Sequence, residues 1–216
     1  VSAQDLDLSY DYSTDYLYAG EQFTVEQLLH ALLIQSANAA GNTLARYVDG
    51  STEKFTEHMT ARAKELGCTN TRFNNTYGKT NSKHYSTAQD LYLITKEAMR
   101  YPIIRKIMHT KYYRLPATNV YKSDDRVLWN TNSMLYGDNP YYDARVRGGK
   151  TGYTRAAGRC LVTLAQENKQ NQQPGESLTE TPASNEISPT NKPIREPVDV
   201  TIVPTEIPTP LPTKEP

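Results

Sequence analysis

The chain has 216 residues, no formal net charge at pH 7 and 22% charged residues. This length allows one ordinary domain with an appendage, and the balanced charge gives no indication of a nucleic-acid partner. Because no run of about 18 apolar residues is present, the sequence predicts no membrane-spanning helix. Its polar opening residues also lack the pattern of a signal peptide.

The first helix is predicted after a Tyr-, Asp- and Ser-rich opening of twenty residues that is itself predicted to be extended. Thr24 and Gln27 have the spacing of a capping box. The apolar residues that follow recur on one helical face until residues 34–35, where the helix is predicted to end. A turn at residues 36–38 then leads into a second helix, rich in small residues, over about 39–48.

A third helix is predicted to begin where Gly50 interrupts the second. Ser51 or Thr52 is placed to cap it, and Gly67 terminates it. Residues 68–85 contain Asn, Thr and Gly and are predicted to form a loop.

The later part of the domain is predicted to change from helices to strands. Ser86 and Gln89 form a second capping box, which predicts a helix through about residue 100, and Pro102 is placed as the first residue of a further short helix. Short segments with Tyr, Val, Leu and Trp then predict strands, of which residues 159–165 alternate most clearly. This order predicts a helical lobe beside a sheet.

Residues 171–216 differ in composition from the rest of the chain. They hold ten of the 13 prolines, no aromatic residue, and seven acidic against three basic residues. Such a segment buries too little apolar surface to offset its ordering entropy. It is predicted to be a disordered or polyproline-like tail after a partial domain at 1–170. Cys68 and Cys160 are predicted to be buried free thiols, with one disulfide as the open alternative.

Two short motifs carry the functional interpretation. One is Ser36-Ala37-Asn38, at the end of an apolar helix, and the other is Lys150-Thr151-Gly152, which follows two glycines and precedes Tyr153. Acyl transfer from a peptide with a free terminal carboxylate needs a cation for that carboxylate, a proton path to the leaving amine, and donors for the oxyanion. These residue types meet those needs.

Each motif residue has a chemical role in this hypothesis. Lys150 supplies positive charge, Thr151 a hydroxyl for the carboxylate, and Gly152 a close backbone approach that lets substrate lie antiparallel along the strand. Ser36 relays a proton, and Asn38 donates its amide to a substrate carbonyl. From the residues alone two alternatives stay open: Ser36 caps the next helix, and Lys150 is a solvated turn lysine.

A remote alternative is a P-loop NTPase. Residues 144–151 fit a loosened P-loop pattern, with Ala144 in place of the first glycine. A P-loop needs an apolar strand before it and a helix after it. The preceding residues 137–143 are polar and aromatic, which argues against this alternative.

Longer stretches around both motifs resemble a known family. Penicillin-recognising serine enzymes carry Ser-x-x-Lys, Ser-x-Asn and Lys-Thr-Gly in chain order, and this sequence is similar to their low-molecular-mass members, the serine-type D-alanyl-D-alanine carboxypeptidases. The likeness covers about residues 1–168. It is strongest over AGEQFTVEQLLHALLIQSANAAGNTLA (19–45), FTEHMTARAKELGCTNTRFNNTYG (55–78), HYSTAQDL (84–91) and GGKTGYTRAAGRCLVTLA (148–165).

The resemblance implies an α/β fold of the β-lactamase and penicillin-binding-protein type, with a helical lobe plus an antiparallel sheet, incomplete at both ends. The implied reaction removes the terminal D-alanine from peptidoglycan stem peptides through a covalent serine ester. β-Lactams are further ligands, and neither metal nor cofactor is implied. The parent protein is placed outside the cytoplasm, with peripheral membrane association only in a longer form. The implied site residues are Ser36, Asn38 and Lys150 as catalytic and Thr151, Gly152 and Tyr153 as substrate-binding, the last through its backbone N–H.

One departure from the family pattern concerns the nucleophile. None of the 35 residues before Ser36 spells Ser-x-x-Lys. Residues 51–54 spell it after the second motif, at a predicted helix cap, and are interpreted as a coincidence. The sequence therefore predicts a fragment that begins after the nucleophile segment and is neither active nor acylated by penicillin. The alternative is a non-catalytic muropeptide-binding or scaffold relative.

Overall fold

Helices precede strands along the chain. The computed structural model describes residues 1–6, 16–166 and 199–201. The helices in these ranges are α1 (Ala3–Leu6), α2 (Val25–Leu33), α3 (Asn38–Asp49), α4 (Thr52–Glu65), α5 (Ala88–Ala98) and α6 (Pro102–His109). The strands are β1 (Tyr112–Arg114), β2 (Val127–Trp129), β3 (Val146–Thr154), β4 (Gly158–Ala165) and β5 (Asp199–Thr201), with a 3-10 turn at Ser133–Leu135.

The predicted capping box at the start of α2 is confirmed. The Thr24 hydroxyl accepts the backbone N–H of Gln27 at 3.2 Å, and the Gln27 side chain accepts the backbone N–H of Thr24 at 2.8 Å. These bonds satisfy two donors that a helix N-terminus otherwise leaves unpaired. The cap therefore fixes where α2 begins, and the helix length then fixes the position of the turn that follows it.

Helix α2 buries its apolar face against α3, α6 and β2. Ile34, Ile107 and Leu128 are fully buried in this core. On α3 the inward residues are small, and Ala39 and Ala40 have no exposed surface. Small side chains let two helix backbones approach closely, so the turn between α2 and α3 lies against the core rather than in solvent.

The strands form two antiparallel sheets. Strands β1 and β2 pair with each other, and the second sheet has the order β3-β4-β5. In the long β3–β4 hairpin Lys150 lies opposite Val162 and Gly152 opposite Cys160. Within the part of the chain that the structure describes, β3 pairs only with β4, so its other edge has no strand partner.

Two predictions about the starts of helices are wrong. The opening residues are not wholly extended, because Ala3–Leu6 form one helical turn. Asp5 stabilises this turn, since it accepts the Ser2 backbone N–H at 2.8 Å and pairs with Arg46 of α3. The cap of α5 is Thr87 rather than Ser86. The Thr87 hydroxyl accepts the Asp90 N–H at 3.1 Å, whereas the Ser86 hydroxyl is hydrogen-bonded to the hydroxyl of Thr71.

The cysteines are both free, and only one is buried. Cys68 lies in the interior as predicted. Cys160 is exposed, because its cross-strand neighbour is Gly152, which has no side chain to cover it.

Most of the predicted tail lies outside the described residues. Residues 199–201 are described, and they depart from the prediction because they pair with β4 as an antiparallel strand. Val200 lies opposite Leu164 in this register. The edge of β4 that faces away from β3 offers backbone hydrogen-bonding groups to an extended segment, and residues 199–201 pair with them.

Gly149 gives a testable consequence of the tight β3–β4 pairing. A Cβ at this position would overlap the Val162 carbonyl oxygen and lie 2.7 Å from Nδ2 of Asn132. We expect Gly149→Ala to lower the free energy of unfolding by about 3 kcal/mol, because backbone cannot give way as a side chain can. Urea unfolding followed by circular dichroism measures this. Gly137→Ala is the matched control, with no atom within 4 Å of its Cβ, and an equal effect of both substitutions would contradict the expectation.

Candidate active site

The turn between α2 and α3 holds Ser36 in an unusual backbone conformation. Its φ is +64°, and it is the one residue other than glycine with positive φ in the described chain. The next residue, Ala37, is fully buried and donates its backbone N–H to the Ala31 carbonyl at 3.0 Å. A left-handed conformation costs a side-chain-bearing residue roughly 1–2 kcal/mol. Such strain persists only where surrounding packing imposes it, and it concentrates at functional sites.

Lys150 of β3 reaches this turn. Its Nζ donates hydrogen bonds to Ser36 Oγ and to the Thr151 carbonyl oxygen, both at 2.7 Å. The sequence motifs, 114 residues apart, therefore meet in the folded chain. Lys150 is not a solvated turn lysine, since it lies within a strand and is half-buried.

Burial sets the electrostatics of Lys150. Desolvation lowers the pKa of its ammonium from 10.5 to about 8, because the charged form loses water that its hydrogen bonds only partly replace. Among the described residues Lys150 takes part in no ion pair. The site thus holds a cation that is still protonated at neutral pH and has no carboxylate partner within the described chain.

Ser36 and Asn38 share the turn. The Ser36 hydroxyl accepts from Lys150 and keeps its own proton for donation, because a hydroxyl is at once a donor and an acceptor. Ser36 does not cap α3, since Ala37 is the N-cap and makes no side-chain capping bond. Asn38 is the first residue of α3 and is 7% exposed.

The remaining predicted site residues follow Lys150 along β3. The Thr151 hydroxyl lies 2.5 Å from the hydroxyl of Thr131. Gly152 and Tyr153 are exposed, and the Tyr153 ring is 71% accessible. An extended peptide placed along the unpaired edge of β3 would pass these residues in order.

A segment that sequence reasoning missed, residues 129–132, joins the two motifs. The Trp129 backbone N–H donates to the Gln35 side chain at 2.8 Å, and the Thr131 N–H donates to the Ile34 carbonyl at 3.1 Å. The buried amide of Asn132 donates to the Gly148 carbonyl at 3.4 Å. The available signal was the triplet Asn-Thr-Asn directly after a predicted strand.

The β3 conformation also removes the P-loop alternative. Residues 146–154 form a continuous strand, and β4 begins four residues later, so no helix follows the lysine and threonine as a P-loop requires. The Ser51-x-x-Lys54 match lies at a helix start, where the Ser51 hydroxyl accepts the Lys54 backbone N–H at 3.2 Å. This is the geometry of an N-cap.

A polar depression of about 200 Å³ is lined by α3, α4 and loop residues, none of them a predicted site residue. Within residues 1–6, 16–166 and 199–201, no helix has the length and apolar character to cross a membrane. The same ranges contain no cluster of three or more His, Cys, Asp and Glu side chains suited to a metal.

Comparisons with known proteins agree with the geometry. The family model described as D-alanyl-D-alanine carboxypeptidase matches residues 1–173. The carboxypeptidase DacF of Bacillus subtilis is 36% identical over 156 residues, which cover 70% of this chain and 37% of DacF. The Escherichia coli carboxypeptidase DacC is 34% identical, over 71% of this chain and 36% of its own. The chain thus spans a little over a third of these curated relatives.

Solved structures show the same fold. A Streptomyces DD-transpeptidase superposes with a TM-score of 0.68 at 31% identity, over 76% of this chain and 64% of that one. A D-alanyl-D-alanine carboxypeptidase from Mycobacterium tuberculosis gives 0.67 at 29% identity, over 77% and 60%. The predicted α/β fold of the penicillin-binding-protein type, with helices beside antiparallel strands, is confirmed.

The lowered pKa of Lys150 predicts a measurable titration. We expect the Cε resonance of Lys150, assigned by its loss in Lys150→Met, to titrate near pH 8. Because the unfolded chain then binds this proton more tightly than the folded one, the group's contribution to the free energy of unfolding rises between about pH 8 and 10.5. That rise should be absent in Lys150→Met. A midpoint near 10.5 would contradict the buried placement.

Proposed function

The chain belongs to the serine-type D-alanyl-D-alanine carboxypeptidase family, and we propose that its Ser36 turn and β3 strand hold the D-Ala-D-Ala end of peptidoglycan stem peptides. The observation that carries this proposal is the bond to Ser36 from the half-buried Lys150, which has no carboxylate partner among the described residues. A lysine ammonium that no acidic side chain of the described chain neutralises attracts the terminal carboxylate of a peptide. Thr151 adds a hydroxyl beside it.

The roles of the motif residues follow from this placement. Attack of a serine hydroxyl on the penultimate carbonyl forms an ester and breaks the C–N bond, so the departing D-alanine amine needs a proton. Ser36 donates that proton and regains one from Lys150, its hydrogen-bond partner, and the proton that the attacking hydroxyl releases restores Lys150 to its charged form. Asn38 orients the peptide through a substrate carbonyl, and Gly152 and Tyr153 present the strand edge and an oxyanion N–H. Water then hydrolyses the ester.

The attacking serine is the part of this reaction that these residues do not supply. No Ser-x-x-Lys precedes Ser36 among the 216 residues, and Ser51 is occupied as a helix cap. We propose that the 216-residue chain binds substrate without being acylated. Acylation needs a Ser-x-x-Lys segment in addition. An extracytoplasmic setting is proposed with it, because peptidoglycan lies outside the cell membrane.

A second candidate function follows from the same observation. A chain that assembles the carboxylate-gripping residues without the nucleophile can act as a muropeptide-binding or scaffold protein. Both candidates require binding of the stem-peptide end, and covalent acylation separates them.

Peptide binding tests the gripping role. We expect an N-acylated Lys-D-Ala-D-Ala peptide to bind at least tenfold more tightly than its C-terminal amide in an NMR titration, since the amide lacks the charge that Lys150 attracts. Lys150→Met should remove this preference, and Lys64→Met, on the exposed side of α4, should keep it. Affinity should fall above about pH 8, where Lys150 loses its proton. Equal affinity for acid and amide would refute the gripping role.

Acylation tests the missing nucleophile. We expect no covalent band when the chain is incubated with a fluorescent penicillin and run on a denaturing gel, with purified DacF as the positive control. Covalent labelling that survives denaturation would show that the chain supplies a nucleophile of its own. Labelling of a longer form that includes a Ser-x-x-Lys segment, beside no labelling of the 216 residues, would favour the enzyme over the scaffold.

A further inference from the structure

Thr131 occupies a position between the two motifs. Its backbone N–H holds the carbonyl of Ile34, two residues before Ser36, at 3.1 Å. Its side-chain hydroxyl lies 2.5 Å from the hydroxyl of Thr151, the residue after Lys150. One residue therefore touches the serine turn through its backbone and the lysine strand through its side chain.

The neighbours of Thr131 fix its backbone in place. Asn130 is 4% exposed, and its amide donates to the carbonyls of Met108 and Thr110 at 3.2 and 3.0 Å. Asn132 is 1% exposed, and its side-chain oxygen accepts the Met134 N–H at 3.1 Å. With both flanking residues anchored in the interior, the exposed Thr131 hydroxyl is held at a defined point beside β3. A β-branched side chain adds to this, because it has few rotamers.

Either hydroxyl of the pair can be the donor, and the direction is fixed once Thr151 is the one that donates to a bound carboxylate. Each hydroxyl has a single proton to donate, and a carboxylate accepts but does not donate. When Thr151 gives its proton to the carboxylate, its contact with Thr131 survives only if Thr131 is the donor. Accepting that bond also polarises the Thr151 O–H and strengthens its own donation.

We propose that Thr131 is a positioning residue that presents the Thr151 hydroxyl as a donor to the substrate's terminal carboxylate. This inference rests on the proposed peptide-gripping function. It adds a third chain segment, residues 129–132, to the serine turn and the lysine strand. Thr131 acts through Thr151 and does not itself contact the peptide.

A double-mutant cycle tests the proposal. The ligands are the N-acylated Lys-D-Ala-D-Ala peptide and its C-terminal amide, and the proteins are wild type, Thr131→Val, Thr151→Val and the double variant. Valine keeps the shape and the backbone N–H of threonine and removes only the hydroxyl. We expect Thr131→Val to weaken binding of the acid about five- to tenfold, the size of one hydrogen bond, and to leave the amide unchanged. In the Thr151→Val background it should have no further effect.

Rescue and control variants complete the design. Thr131→Ser should restore affinity for the acid, since it returns the hydroxyl. Thr52→Val, which removes a threonine hydroxyl that donates to the neighbouring Glu53 carboxylate on α4, should bind both ligands as wild type does. Circular dichroism spectra and urea unfolding of each variant show whether the fold is kept.

The outcomes separate the inference from the function. Wild-type preference for the acid with no effect of Thr131→Val overturns the inference and leaves the proposed function standing. A loss that is as large for the amide, or as large without the Thr151 hydroxyl, makes Thr131 structural or a direct contact and also overturns it. If wild-type protein does not distinguish acid from amide, the proposed function fails and this inference fails with it.

Discussion

The hydrogen bond from Lys150 to Ser36 links the helical part of the molecule to the sheet, and the placement of the two motifs beside each other depends on it. Burial of Lys150 lowers its pKa from 10.5 to about 8, which corresponds to roughly 3 kcal/mol against the charged form. The two hydrogen bonds that it donates do not offset this cost. Under the proposed function, the terminal carboxylate of the substrate would offset this cost.

Close backbone packing and one unusual backbone conformation maintain this arrangement. Gly149 allows β4 and the Asn132 amide to approach β3 more closely than any side chain would permit. On the opposite wall, Ser36 adopts a left-handed conformation because small, fully buried residues follow it into α3. The close approach at Gly149 positions the Asn132 amide, and the left-handed backbone positions the Ser36 hydroxyl at the expense of local stability. Such trade-offs are typical of binding and catalytic sites.

The neighbouring segments show why local sequence signals were insufficient in places. Ser86 and Thr87 are both good N-cap residues. The hydrogen bond between the Ser86 and Thr71 hydroxyls leaves Thr87 as the cap. The helical turn at residues 3–6 depends on Asp5 pairing with Arg46, forty-one residues away. Cys160 is exposed because it faces Gly152 across the hairpin. The deciding partners lie 8, 15 and 41 residues away along the chain, beyond the few residues over which capping and periodicity act.

The sequence by itself determined the order of helices and strands, the cap of α2 at Thr24, the helix start at Pro102, and the family to which the two motifs belong. These follow from local hydrogen bonding, fixed backbone angles and periodicity, which act over a few residues. Only the tertiary structure brought Lys150 to Ser36 and placed Thr131 between their segments. Those contacts arise because α6 packs against both α2 and β3, and no local pattern encodes such long-range packing.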